Sequence, residues 1–273
     1  MMQWLSNVAV PPLVDALVAA RGTGGAKGQA YFRALNTFQP HSLASSGNIR
    51  NLTFTTDLVG RGTEILNYFN RIANEGLVDP GIVRALTSEE ARSAVCQTAQ
   101  ALELLRVELP AYYDLIFELV AELLFARKDR VGGASFGSML GMVWVSPRMA
   151  WSPNDFAEVL IHETTHQALF LREAVIGLYC VPRSELSSTD LLVTSSIRRT
   201  ERPYDASLHA AVVAASLIDF HHTLGRTAVA EELRRPLLES AAQLEAKSYV
   251  LSKSGREVLA DVLHVANMHL VAA

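Results

Sequence analysis

Apolar residues recur at intervals of three and four along most of the chain, which is the spacing of one face of an α-helix. The segment "PPLVDALVAARG" opens with proline and closes with glycine, and "TSEEARSAVCQTAQALELLRVEL" opens with threonine and serine before glutamate, as helices often do. After Pro110, "AYYDLIFELVAELLFARK" is apolar nearly all round, which is typical of a central helix. The pattern predicts helices at about 11–22, 26–38, 57–75, 87–109, 110–128, 153–176, 203–221, 226–250 and 255–270.

The helical pattern is interrupted once, from Asp129 onwards. The segment "DRVGGASFGSMLGMVWVSP" is rich in glycine, serine, valine and aromatic residues and has no 3.6-residue period, so it predicts one or two short strands, the better one at 139–145. We therefore expect a mainly α protein: one domain, 1–273, with a small strand element before the next helix. A soft division separates a helical N-terminal half, 1–129, from the half that carries the chemistry, 130–273.

Composition narrows the class of protein. Hydrophobic residues make up 49% and charged residues 19% of the chain, enough apolar material for a sizeable core. The net charge of −4 leaves no basic face for nucleic acid. No apolar run approaches the ~18 residues of a membrane span, and the N-terminus lacks a basic region before its apolar run. We expect Cys96 and Cys180 to be free thiols in buried positions. We expect a cytoplasmic protein without nucleic-acid or membrane partners.

The stretch "VLIHETTHQALF" carries the candidate chemistry. Ser152, Pro153 and Asp155 predict a helix start, and the helix then places His162 and His166 one turn apart on the same face. Glu163 lies about 100° around the helix, beside the metal that these two imidazoles could bind. Because the surrounding residues are almost all apolar, the imidazoles and the carboxylate would be costly to bury unless they were paired or coordinated. A metal site is predicted.

The third metal ligand would decide the chemistry. Metzincin peptidases have a histidine six residues after the second one, where this chain has Arg172. Thermolysin-like peptidases use a later glutamate, and "ERPYD" offers Glu201, although Pro203 favours a helix that begins after it. The other candidate is His209.

If the helix extends back slightly, Arg202 shares a face with Asp205 and His209. Arg202 and His209 would then be roughly 10 Å apart along the axis. That separation suits a small dianion that chelates a metal held by His209 and reaches the arginine with its distant carboxylate.

The spacing of these residues resembles a known family. His162, Glu163 and His166 are followed by Arg198, Arg202-Pro203 and His209, and the lead-in "GMVWVSPRMAWSPNDFAEVLIHE" is also similar. This order resembles the H-E-x-x-H group of peptide-modification proteins, described as 2-oxoglutarate-dependent, iron-using peptide β-hydroxylases. The match covers roughly 130–220, and it departs where the family often has glycine three residues before the last histidine and this chain has alanine.

The resemblance implies an oxygenase. His162, His166 and His209 would hold Fe(II), with Asp205 as an alternative ligand. Arg198 or Arg202 would bind the cosubstrate 2-oxoglutarate. Glu163 would orient a ligand or a bound water.

Three functions are therefore open. The first is an Fe(II)/2-oxoglutarate-dependent hydroxylase that acts on an amino-acid side chain in a peptide or a free or carrier-bound amino acid, in natural-product biosynthesis. The second is a zinc metallopeptidase with a glutamate ligand, in which Glu163 is the general base. The third is a non-enzymatic helical protein.

Overall fold

Nine α-helices, three short 3-10 helices and six short strands make up the regular structure of the described residues in a computed structural model. The structure describes residues 2, 5, 10–21, 27–37, 39–43, 52–56, 60–74, 83–129 and 131–268. The chain divides into two compact units, one formed by 1–16 with 168–273 and the other by 17–167. Helices α1 (Pro11–Arg21) and α6 (Pro153–Val175) each continue from one unit into the other.

The 17–167 unit combines helices with a four-stranded sheet. Its strands lie in the order β1-β2-β4-β3, in which β1, β2 and β4 are parallel and the edge strand β3 is antiparallel to β4. All residues of β2 and β4 are buried, as expected of strands inside a parallel sheet. Besides parts of α1 and α6, the unit contains α2 (Lys27–Leu35), β1 (Thr53–Thr55), α3 (Arg61–Asn74), α4 (Ser88–Glu108), α5 (Pro110–Leu119), β2 (Glu122–Phe125), β3 (Gly133–Ala134) and β4 (Met142–Val145).

Helix α4 begins where its sequence predicts. The Thr87 side chain accepts a hydrogen bond from the Glu90 backbone N–H at 3.2 Å, and the Glu90 carboxylate accepts one from the Thr87 N–H at 2.8 Å. This reciprocal pair satisfies two backbone donors that the first helical turn leaves without partners.

The helix predicted for 110–128 is wrong in its second half. Helix α5 ends at Leu119, Val120 is extended, and the chain enters β2 at Glu122. Strand β2 pairs with β1 on one side and β4 on the other, so both edges of its backbone are hydrogen-bonded within the sheet. That pairing outweighs local helix propensity, and a continuous apolar run does not distinguish a buried helix from a buried strand.

The 1–16/168–273 unit is built around α7 (Tyr204–Thr223), which packs against α8 (Thr227–Ala246) and α9 (Lys253–Asn267). Most of α7 is buried, and the Tyr204 hydroxyl donates to the Leu244 carbonyl of α8 at 2.8 Å. A two-stranded hairpin, β5 (Val193–Thr194) and β6 (Glu201–Arg202), precedes α7.

Arg172, at the position where a metzincin has its third histidine, has a structural role. Its Nε donates to the Ser254 hydroxyl at 2.7 Å, and its guanidinium also pairs with the Glu257 carboxylate at 2.8 Å. The residue is buried, so this pairing joins the last part of α6 to α9.

The mainly α class, with a small strand element before the helix that carries the two histidines, is confirmed. The predicted strand at 139–145 is found as the shorter β4, and β3 precedes it. The predicted soft division near residue 130 falls inside the 17–167 unit. Both cysteines are free thiols, but each is exposed, so their predicted burial is wrong. No helix in the described ranges is long and apolar enough to span a bilayer.

Candidate metal centre

Helix α6 presents His162 and His166 on one face. The helix start is held by Asp155, whose Oδ2 accepts hydrogen bonds from the Ser152 N–H at 2.7 Å and the Ser152 hydroxyl at 2.6 Å. Both histidines are partly exposed, and their ring centroids lie 5.1 Å apart. Two imidazoles that bind one ion through nitrogens about 2.1 Å away have centroids roughly 4.5–5.2 Å apart. The pair therefore has a spacing suited to one metal ion.

Glu163 lies beside this pair, in a buried position. Only 3% of the residue is exposed, and its Oε1 is 3.9 Å from His162 Nε2. Its Oε2 is buried and has no hydrogen-bond partner within the described residues. Burial raises the pKa of the Glu163 carboxyl to about 8, while Ser135 acts in the opposite direction. Without a metal, this carboxyl therefore carries a proton near neutral pH.

The edge strand β3 leaves room for the Glu163 carboxylate. A Cβ atom on Gly133 would stand 3.0 Å from Glu163 Oε1 and 3.0 Å from the Trp144 carbonyl oxygen. The neighbouring Ser135 hydroxyl donates to the backbone carbonyl of Glu163 at 3.2 Å. Glycine at position 133 thus permits the close approach of β3 to the motif helix.

Gln167 fixes the orientation of α6 against the sheet. The Gly141 N–H donates to Gln167 Oε1 at 2.8 Å, and Gln167 Nε2 donates to the Met142 carbonyl at 2.9 Å. The residue is buried, so losing its side chain would leave two backbone groups without partners. Nothing in the sequence pattern around Gln167 indicates this role, because both partners lie about 25 residues away.

His209, the predicted third ligand, lies on α7. It is 9% exposed, and its ring packs against that of Phe170 with centroids 4.9 Å apart. Phe170 follows His166 by one turn of α6. Burial lowers the pKa of His209 to about 4, so the imidazole is neutral near pH 7, the form in which histidine binds a metal.

Asp205, one turn before His209, pairs with an arginine that sequence reasoning missed. The Arg183 Nε donates to Asp205 Oδ2 at 3.2 Å. Both charged groups act on the pKa of His209, Asp205 raising it and Arg183 lowering it. The buried Tyr179 hydroxyl, whose pKa is raised by burial and by Asp205, has no hydrogen-bond partner among the described residues.

The two predicted cosubstrate arginines, Arg198 and Arg202, lie in the hairpin before α7 and are exposed. Arg202 belongs to β6 and pairs with Val193, and Pro203 has an extended ψ of 147°. The helix therefore does not extend back to Arg202, and the predicted helical face shared with His209 is wrong for this residue. Glu201 is likewise an exposed strand residue.

The structure brings His162, Glu163 and His166 together on α6, and Asp205 and His209 together on α7. Among the residues it describes, no cluster of three or more histidine, cysteine, aspartate or glutamate side chains is close enough to hold a metal ion. Comparison with protein-family models gives no match, and comparison with curated proteins gives none either. The family resemblance therefore stays a prediction.

Proposed function

We propose that this protein is an Fe(II)- and 2-oxoglutarate-dependent oxygenase of natural-product biosynthesis. It hydroxylates the β-carbon of an amino-acid residue in a peptide, or of a free or carrier-bound amino acid. The observation that carries the proposal is the pair of partly exposed imidazoles, His162 and His166, with centroids 5.1 Å apart beside a buried carboxyl group. Such a pair can supply two of the three protein ligands of a catalytic metal that keeps open positions.

His209 is proposed as the third ligand. Its burial and its low pKa of about 4 support this role, because a neutral imidazole is available over the whole physiological pH range. Asp205 is the alternative ligand that the resemblance leaves open, and its carboxylate pairs with Arg183 in the structure. When bound, iron supplies the activation of O2, and overall 2-oxoglutarate is converted to succinate and CO2 as a C–H bond becomes C–OH.

The cosubstrate needs a cation for its distal carboxylate. Arg198 and Arg202 are the candidates implied by the resemblance, and both are accessible. Arg183 is a third candidate, supported by its ion pair with the aspartate one turn before His209. Its guanidinium could exchange Asp205 for a cosubstrate carboxylate, because both are recognised by the same charge-assisted hydrogen bonds.

A zinc metallopeptidase is the second candidate function. The observation in its favour is the position of Glu163, a buried carboxyl group 3.9 Å from His162 Nε2, where a general base for a zinc-bound water would stand. Against it, the glutamate that would complete the ligand set, Glu201, is an exposed residue of a two-residue strand.

A pair of variants separates the two ligand sets. Under the oxygenase proposal, His209→Ala weakens Fe(II) binding by more than about a hundredfold, since a direct ligand matters at least as much as the outer residues that orient ligands. Glu201→Ala, a change at an exposed side chain, leaves it unchanged. The measurement is anaerobic competition with a chromogenic chelator, with circular dichroism to show that both variants are folded. The reverse pattern would support the peptidase and contradict the proposal.

A further inference from the structure

A proline inside helix α8 leaves one backbone carbonyl without its helical donor. In an α-helix each carbonyl accepts a hydrogen bond from the N–H four residues later, and proline has no N–H. Pro236 lies within α8, so the Glu232 carbonyl lacks this bond. The Arg199 side chain donates to that carbonyl instead, from Nη2 at 3.2 Å. A residue of the loop between β5 and β6 therefore takes the place of the missing helical donor.

Arg199 makes this contact from a backbone conformation that residues with a Cβ atom rarely adopt. Its φ is 57°, in the left-handed region. The loop is held in this shape by two backbone bonds: the Arg199 N–H donates to the Ser195 carbonyl at 2.9 Å, and the Ser195 N–H donates to the Thr200 carbonyl at 2.9 Å. Glycine or asparagine would adopt this φ at lower cost, so the contact made by the side chain explains an arginine here.

Helix α8 also holds the strand that precedes the loop. The Thr194 N–H donates to Gln243 Oε1 at 3.0 Å, and Lys247 Nζ donates to the Leu192 carbonyl at 2.6 Å. These two bonds fix the start of the hairpin against α8. The Arg199 contact fixes the far end of its loop against the same helix.

The two cosubstrate candidates of the hairpin lie on either side of Arg199 in the sequence. Arg198 directly precedes it, and Arg202 follows it on β6. Both are exposed, and their guanidinium groups form no ion pair or hydrogen bond with the residues that the structure describes. The Arg198 backbone is fixed as well, because its N–H donates to the Ser195 hydroxyl at 3.2 Å. The hairpin therefore presents two available cations on an ordered backbone.

We propose that Arg199 is a positioning residue for the cosubstrate. It locks the hairpin to α8 and thereby fixes where Arg198 and Arg202 meet the dianion. Flexible cationic side chains bind a carboxylate more tightly when the backbone that carries them is already ordered, because less entropy is lost on binding. The inference rests on the proposed function, in which the hairpin arginines are candidates for the 2-oxoglutarate carboxylate.

Three substitutions test the lock. Arg199→Asn tolerates the left-handed backbone but is too short to reach the Glu232 carbonyl, whereas Arg199→Lys keeps both the charge and a donor. Arg235→Gln removes one exposed positive charge from α8 and is the matched control for the change in net charge. The full-length protein, loaded with Fe(II) without oxygen, is titrated with 2-oxoglutarate at high salt, which screens long-range charge effects. The charge-transfer band reports binding.

We expect Arg199→Asn to raise the Kd for 2-oxoglutarate about fivefold, while Arg199→Lys and Arg235→Gln stay within about twofold of wild type. An unchanged Kd in Arg199→Asn overturns the proposal. An equal rise in Arg235→Gln overturns it too, because the effect would then follow from net charge alone.

A change in α8 separates positioning from a merely structural role. Pro236→Ala gives the Glu232 carbonyl a helical N–H donor, so the carbonyl no longer depends on Arg199. In this background Arg199→Asn should lower the urea midpoint of unfolding by about half as much as in wild type, or less. The double variant should keep the raised Kd, because its loop is still released from α8. If Pro236→Ala restores the Kd together with the midpoint, Arg199 only stabilises α8 and the proposal is wrong.

The outcome is distinguishable from that of the oxygenase proposal. Wild-type protein that gives no band with 2-oxoglutarate ends the oxygenase proposal and this inference with it. Wild-type protein that binds 2-oxoglutarate with the same Kd as Arg199→Asn keeps the oxygenase and loses the positioning role. The urea transitions also show that each variant is folded.

Discussion

Glu163→Gln removes a buried ionisable group from α6 while it preserves nearly the same volume and shape. The pKa of this carboxyl is raised from 4.5 to about 8 by burial, an interval of about 3.5 pH units. At about 1.4 kcal/mol per unit, ionisation in the folded protein costs about 5 kcal/mol more than in the unfolded chain. As the pH rises, the unfolded chain loses this proton before the folded protein does. The contribution of the Glu163 carboxyl to the free energy of unfolding is therefore fully present below about pH 4.5 and is lost as the pH rises through about 8.

Glutamine is neutral at every pH, so the variant lacks this loss. In metal-free protein the free energy of unfolding of Glu163→Gln should match that of wild type near pH 4.5. The variant should exceed wild type by about 3 kcal/mol at pH 7 and by about 5 kcal/mol above pH 8. The assay is urea unfolding followed by circular dichroism, in the presence of a chelator, at several pH values.

Glu108→Gln is the matched control, because Glu108 is an exposed carboxylate at the end of α4 in the same unit. Its difference from wild type should stay within about 0.5 kcal/mol. If the gap between Glu163→Gln and wild type is the same at every pH, or if it narrows as the pH rises, the buried-carboxyl reasoning is refuted.

Three further predictions concern the other unit. Wild type should lose up to about 3 kcal/mol relative to His209→Gln as the pH falls from 6.5 to about 4 in metal-free protein, since the pKa of His209 is lowered over that interval and the unfolded chain protonates first. Gly255→Ala should lower the free energy of unfolding by about 1–3 kcal/mol, measured by urea unfolding, because its Cβ would overlap the Leu178 carbonyl. Arg183→Ala should raise the Kd for 2-oxoglutarate about tenfold in anaerobic titrations, because it removes the charge-assisted hydrogen bonds proposed for the distal carboxylate.

Each of these has a comparison that could contradict it. If the difference in free energy of unfolding between His209→Gln and wild type does not change with pH, the prediction that His209 is buried as a neutral imidazole is wrong. Lys253→Ala, an exposed change two residues before Gly255, should be nearly neutral, and an equal effect would remove the steric explanation. Unchanged 2-oxoglutarate affinity in Arg183→Ala would exclude Arg183 and leave Arg198 and Arg202 as the candidates.

The helices were predictable where local chemistry decides them. The Thr87–Glu90 capping box and the Ser152–Asp155 contact depend on residues three positions apart, and both are found. The end of α5 was not predictable in this way. Residues 122–125 form a strand because β2 pairs with two strands that are distant in sequence, and the apolar run itself does not show which segments it will pair with.

The candidate site shows the same division between local and tertiary information. His162 and His166 are one helical turn apart, so their spacing alone predicts a shared face. Tertiary contacts produce the other features of the site: the space beside Gly133, the hydrogen bonds from Gln167 to the sheet, and the pairing of Arg183 with Asp205. Exposure of the two thiols is also a tertiary property, which explains why the usual burial of cysteine misled the prediction.

Anaerobic titration of the full-length protein with Fe(II) and 2-oxoglutarate shows whether it is the proposed oxygenase. We expect a weak visible charge-transfer band that saturates with 2-oxoglutarate, and succinate once O2 is admitted. His162→Ala should give neither signal, because the metal loses one of its paired imidazoles. A protein that instead retains tightly bound zinc, gives no band with 2-oxoglutarate and forms no succinate is not an iron- and 2-oxoglutarate-dependent oxygenase.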